Sequence, residues 1–404
     1  MMFKIDKRKW NRIFAVTLSL IFIFELDSFL YFSGISSVKP WLFFVLVLFG
    51  LLVLKGVGGF SSRMNITINW LVFLAGLTIL ASIPGVIYSG SFDKYTILFA
   101  YSFLLVLFGF QIQQYLYSES NSFFVLVLLL FSLLLAFDLF HFNWSESTLS
   151  GRASGTVGNP NYASFIVVSL VAGSLRFSPG FNPLSWNIFV FFLGVVGLLC
   201  AKSVGGSIAF LFVVFSFAMV KIAQAPSLNL AAATFSLSFI LGIFLILAML
   251  LGVAILKSQN GMSLAELSLL KVGQRLEAFQ ASWDLVKDNW LLGRGYGHVY
   301  RMEIGPHNMF VRALIEGGVL GLALYLALYV FLFVNSWVKK WNNFFIFSFG
   351  LLGASLTTHN LTEYRSIMII AGILLAAEMY RNYARPDEME EKCSLVNSPR
   401  CLNG

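Results

Sequence analysis

Residues 305–321 read Gly-Pro-His-Asn-Met-Phe-Val-Arg-Ala-Leu-Ile-Glu-Gly-Gly-Val-Leu-Gly. They place proton-moving and anion-binding residue types at the start of an apolar helix. His307 is the titratable group, and an unperturbed imidazole pKa of about 6.5 suits proton abstraction at neutral pH. Asn308 adjoins it and is positioned to orient a substrate or the loop. Arg312 follows His307 by five positions, which is not quite the same helical face. Upstream stand Arg275, on an amphipathic stretch, and Gly293-Arg-Gly-Tyr-Gly297. An imidazole and fixed cations gathered on one polar loop point to chemistry on a lipid-linked anion. A transporter more often buries its polar residues inside the helices.

A second cluster is Gly151-Arg-Ala-Ser-Gly-Thr-Val-Gly-Asn-Pro-Asn-Tyr-Ala-Ser164. Pro160 suits the first turn of a helix and Asn159 its N-cap. Backbone N–H groups at such a start, with small residues around them and Arg152 nearby, make an anion cradle. Capping accounts for Asn159 and Pro160 but not for Asn161 or the glycines, so a plain capped start and an anion cradle both remain open.

The elements that position these clusters are set by composition. The chain has 404 residues, of which 58% are hydrophobic and 11% charged, against roughly a quarter charged in soluble proteins. This predicts an all-α polytopic membrane protein. Apolar runs near 13–33, 40–55, 67–88, 95–116, 121–141, 160–177, 184–202, 205–222, 231–256, 308–335, 342–358 and 364–381 give about twelve transmembrane helices. The whole chain, 1–404, reads as a single transmembrane domain. It carries one long periplasmic loop, 257–307, with amphipathic helices, and a short cytoplasmic tail, 382–404. Basic short loops place both termini inside. The cation-rich long loop breaks that bias. All four histidines (His141, His298, His307 and His359) fall on the outer side of this arrangement.

Within the long loop, Ser263-Leu-Ala-Glu266 forms a capping-box pattern. Leu276, Phe279, Trp283, Val286 and Trp290 then recur at helical spacing, making an apolar face for the membrane or the bundle. Gln274, Arg275, Ala278, Ser282 and Asp288 fall away from that face. The formal charge of +8 does not indicate nucleic acid, since the cations are scattered over loops. Cys200, Cys393 and Cys401 predict no disulfide framework. The basic N-terminus before a long apolar run reads as a start-transfer helix. Metal-ligand spacing such as His-x3-His is lacking, so no metal or cofactor is expected. Glu25, Asp27 and Asp138 receive no role, and His359-Asn360 with Glu363 and Arg365 either completes the site or caps helices.

Three segments resemble the O-antigen ligase and O-antigen polymerase superfamily of bacterial inner-membrane glycosyltransferases. They are Gly158-Asn-Pro-Asn-Tyr-Ala163, Arg275-Leu-Glu-Ala-Phe with Trp283 and Gly293–Gly297, and His307-Asn308 spaced nine residues before Gly318 and two more before Gly321. The resemblance covers roughly 150–330. It departs from the family at Lys202, where members often carry Arg, and at Leu322, where ligases often carry Thr. The chain ends soon after its last apolar run, away from the related protein O-oligosaccharyltransferases.

The resemblance implies a glycan donor on undecaprenyl diphosphate, presented from the outer leaflet of the inner membrane. The acceptor is then a sugar hydroxyl of lipid A–core (ligase) or of another lipid-linked glycan (polymerase). It implies a metal-independent, inverting displacement with His307 as general base and Arg275 on the diphosphate. Arg152, Asn159, Asn161, Lys202, Asn308 and Arg312 become candidates for binding substrate. The His-Asn spacing favours the ligase. A lipid-linked oligosaccharide flippase is the reading from another class, disfavoured by the long loop and the scarcity of charge within helices. A shape-and-division type glycan polymerase would rest on Asp284 or Asp288.

Overall fold

The computed structural model describes residues 7–26, 105–110, 112–113, 116, 120–141, 152–177, 183–225, 264–295, 298–302, 305–358, 361 and 364–383. Among them all regular structure is helical: α1 (Lys7–Ile23), α2 (Ser120–His141), α3 (Pro160–Ser174), α4 (Pro183–Ala201), α5 (Val204–Ala223), α6 (Leu264–Asn289), α7 (Met309–Val338), α8 (Asn342–Ser355) and α9 (Arg365–Tyr383), with short 3-10 turns at Gly155–Val157 and His298–Arg301. Helices α2, α4, α5 and α7 are long and apolar enough to cross a membrane, and α3 is a shorter apolar helix. The apolar runs expected near 40–55, 67–88 and 231–256 lie outside the described residues, as do Ser263, His359, Asn360, Cys393, Cys401 and nearly all of the 382–404 tail.

Helix α3 is the hub. Almost every side chain on it is buried, against α2, α4, α5, α8 and α9. Its Ala163, Ser164, Ser169, Ala172, Gly173 and Ser174 are small, which lets neighbouring helices approach closely. Ser164 touches the α5 backbone at Gly206, where a Cβ would collide with it. The segment around Gly109 crosses α9 at Gly372 with the same backbone proximity. Asn343 stitches α8 to the C-terminal end of α3 by donating from Nδ2 to the carbonyls of Ala172 at 2.9 Å and Leu175 at 2.8 Å. One apolar core unites these elements.

Helices α6 and α7 are held differently. They share a small separate cluster, Val286, Val299 and Ile315. α7 is broken at Gly318, whose φ 61 and ψ −159 lie in a region open essentially to glycine alone. The break divides α7 into a first half, which His307 and Asn308 introduce, and an apolar second half long enough to span.

Candidate functional site

The starts of α3, α5 and α9 meet the end of α8, and the two clusters seen in the sequence lie there. The first begins with Asp138 near the end of α2. Its buried carboxylate Oδ2 accepts from Ser154 N at 2.8 Å and Gly155 N at 2.7 Å, pinning the segment that enters α3. Ala153 N also donates to Cys200 O at 3.0 Å. Gly158 takes a left-handed step with φ 68. Asn159 is then extended, and its Oδ1 caps α3 by accepting from Asn161 N at 2.9 Å and Tyr162 N at 3.2 Å.

Asn161 is the centre of this cluster. Its Oδ1 accepts from Arg152 Nη2 at 2.8 Å and from Ser203 Oγ at 2.9 Å. Arg152 Nε reaches Ala201 O at 3.3 Å, and Ser203 caps α5 by accepting from Gly206 N at 3.1 Å. Lys202 sits in the same turn at φ 48. Burial pushes the Arg152 guanidinium below its ordinary range. Burial pushes the Lys202 ammonium down too, partly offset by Cys200 and reinforced by Arg152. No carboxylate among the described residues pairs with either cation. Two cations depressed by burial, Lys202 also by Arg152, favour an anion beside them.

Tyr162, one residue after Asn161, is locked in place. Its hydroxyl donates to Glu25 Oε1 at 2.5 Å and accepts from Ser366 N at 3.0 Å, while its ring stacks on Tyr364 at 4.0 Å. Arg365 Nε lies 3.9 Å from Glu25. Glu25 and Arg365, left without a definite role by the sequence, therefore tie α1 and α9 to the start of α3.

The second cluster repeats the first turn. His307 takes a left-handed step with φ 49 and is exposed. Asn308 is extended, with φ −153 and ψ 124, and its Oδ1 caps α7 by accepting from Phe310 N at 2.9 Å and Val311 N at 3.2 Å. Its Nδ2 reaches Leu356 O at 3.5 Å. The adjoining Thr357 hydroxyl packs on Gly205 at the start of α5. The turn after α8 thus bridges the Lys202–Ser203 turn to the His307–Asn308 turn.

Four non-glycine residues with positive φ occur among the described residues. Glu25, Lys202 and Lys340 follow helix ends, where a left-handed step is the ordinary stop. His307, like Lys202 and Lys340, precedes an N-cap, but it directly follows no α-helix end among the described residues.

Behind His307, the break in α7 is clasped by the loop after α6. Arg294 N donates to Ile315 O at 2.7 Å, Gly295 N to Glu316 O at 2.9 Å, and Val319 N to Trp290 O at 2.8 Å. A Cβ on Gly293 would strike the Glu316 carbonyl, and one on Gly318 the Leu291 carbonyl. The two glycine groups of the sequence are therefore halves of one clasp. Arg312 is buried beneath it, its Nε 2.9 Å from Glu316 Oε2. That pairing was legible as an i,i+4 spacing, although Glu316 carries no expectation in the sequence. Arg275 lies on α6 at a position two turns before the buried Ser282, so the two positions share one helical face; its side chain lies outside the described set.

An all-α membrane protein with a doubled turn that gathers cations is the class these features define. A model of the O-antigen ligase family (Wzy_C) matches residues 189–326. That segment carries Lys202, Arg275, His307, Asn308 and Arg312, and the match supports a likeness to the O-antigen ligase and polymerase superfamily. No curated protein matches the chain.

Proposed function

We propose that the protein is a glycosyltransferase of the O-antigen ligase type. It moves a glycan from undecaprenyl diphosphate to a sugar hydroxyl of lipid A–core on the periplasmic face of the bacterial inner membrane. The observation that carries this reading is the family match over 189–326, which takes in His307 and its strained turn. His307 removes the proton from the acceptor hydroxyl as the oxygen attacks the anomeric carbon. The bond from that carbon to the diphosphate breaks, and undecaprenyl diphosphate leaves with the electron pair. Attack opposite the leaving group inverts the anomeric centre.

Arg275 binds the diphosphate, as a guanidinium does bidentately. Arg152 and Lys202, held around Asn161 and Ser203, stabilise the charge that grows on it. Asn159 and Asn308 shape the two turns through their caps and offer their amide nitrogens to substrate. Arg312, paired with Glu316, supports the half-helix that follows His307. Both termini lie in the cytoplasm, so the loop at 257–307 is periplasmic.

The test is the lipopolysaccharide profile of a chromosomal deletion complemented with wild type, His307→Ala or Arg275→Ala at matched protein levels. Bare core with full-length polymer left on the carrier supports the ligase. Core capped by one repeat identifies a polymerase with the same chemistry. A normal ladder from either point variant removes that residue from the mechanism.

A further inference from the structure

Helix α6 has three faces. Ala278, Ser282 and Val286 are buried at i,i+4 spacing against the rest of the molecule. Glu277, Gln280, Asp284, Lys287 and Asp288 are exposed and polar. Between these faces Phe279, Trp283 and Trp290 form one stripe, 51%, 49% and 56% exposed. The rings of Phe279 and Trp283 lie parallel, 6.3 Å apart.

The stripe has a continuation. Leu291 and Leu292 follow it in the chain and are exposed, and Trp290 O accepts from Val319 N at 2.8 Å. Val319 and Leu320 open the exposed face of α7, which runs on through Leu326, Val330, Val334 and Val338. That face belongs to a helix long and apolar enough to span a membrane, so acyl chains cover it. The α6 stripe therefore joins a lipid-facing surface at its upper rim, where tryptophan is the preferred residue. An aromatic stripe of this extent standing in water would be an unusual exposed patch.

We propose that α6 is a membrane-interface helix. Phe279, Trp283 and Trp290 lie in the bilayer at the boundary of headgroups and acyl chains, on the side of the membrane where His307 sits. The partner is the bilayer itself. Because the clasp joins the end of α6 to the break in α7, this seat fixes the height of the His307 half-helix relative to the lipid headgroups. The inference holds whatever reaction the site performs.

Depth measurements on the full chain in phosphatidylethanolamine–phosphatidylglycerol nanodiscs test it. Nitroxide is placed on single cysteines in a background of Cys200→Ala, Cys393→Ser and Cys401→Ser. With Phe279→Cys, Trp283→Cys and Trp290→Cys, the ratio of oxygen to nickel-chelate collisions should be several-fold higher than with Gln280→Cys, Asp284→Cys and Asp288→Cys. It should approach the value for Val330→Cys. Leu291→Cys keeps all three rings and should report the same lipid contact. Nickel access at 283 and 291 equal to that at 284 overturns the proposal by placing the stripe in water. Protection of 283 and 291 from both reagents overturns it by showing a protein partner or a second copy there.

Discussion

The chain entering α3 and the chain entering α7 take the same backbone steps: a left-handed residue, then an extended asparagine whose side-chain oxygen caps the helix through two N–H groups. At α3 the left-handed residue is Gly158, which accepts the conformation freely. At α7 it is His307, for which the step costs about 1 kcal/mol. Histidine tolerates that region better than most residues, but glycine would be the residue of least strain. On the proposed function the first turn is built for backbone and the second for a side chain, while a third such step, Lys202 before the capping Ser203, places a cation beside the first turn. The first turn gathers cations around Asn161. The second presents an imidazole, as expected where strain is kept for function.

The two turns are also braced by different means, which gives the comparison its sharpest tests. The second rests on the clasp. Gly318→Ala forces a side chain into a glycine-only conformation and against the Leu291 carbonyl, and should cost about 3–5 kcal/mol, read as a collapse of the thermal midpoint in detergent. The first rests on a carboxylate. Asp138→Ala strips two buried N–H groups of their acceptor and should cost about 2–4 kcal/mol by the same readout. An unchanged midpoint for either variant would show that its turn is held elsewhere. Gly158→Ala has open space for its methyl and should cost only the left-handed step, about 1–2 kcal/mol.

The smallest expected effect separates the turns by pH. Protonating an imidazole base removes activity on the acid side. On the alkaline side Lys202 matters. Its pKa is pushed down by burial and by Arg152, so its charge is lost at a lower pH than that of a free lysine. Donor binding should therefore weaken as pH rises toward the ordinary lysine range, while bound diphosphate partly restores the charge. Lys202→Arg should flatten that alkaline limb by a few-fold in donor KM and leave the acid limb unchanged. A shifted acid limb would mean that the two turns do not act separately.

Much of the fold was legible because apolar length fixes a spanning helix. The runs at 121–141, 160–177, 184–202, 205–222, 342–358 and 364–381 each became one helix and 308–335 became α7, broken at Gly318; of these α2, α4, α5 and α7 are long and apolar enough to cross a membrane. Asn159 was read as a cap from the proline after it, whereas Asn308, without that proline, was not. What stayed hidden depends on contacts between distant residues or on backbone angles, which local pattern does not encode. Gly293 and Gly318 were each visible as glycines in a motif, but nothing local says that they face one another. Glu25 and Tyr162, 137 positions apart, meet only once α1 is laid beside α9, whose start lies against Tyr162. Ala278 and Ser282 looked like the wet side of α6 and are instead its buried side, because small residues permit close packing as readily as apolar ones.

The central claim is that His307 occupies its turn for the sake of its imidazole. The most direct measurement is glycan transfer from undecaprenyl diphosphate by the purified protein, wild type against His307→Gly, with the thermal midpoint recorded alongside. The account predicts a loss of about 10²–10⁴-fold in transfer while the protein stays folded, its midpoint shifted far less than by Gly318→Ala, since glycine relieves the strained step. Transfer within a few-fold of wild type would contradict it.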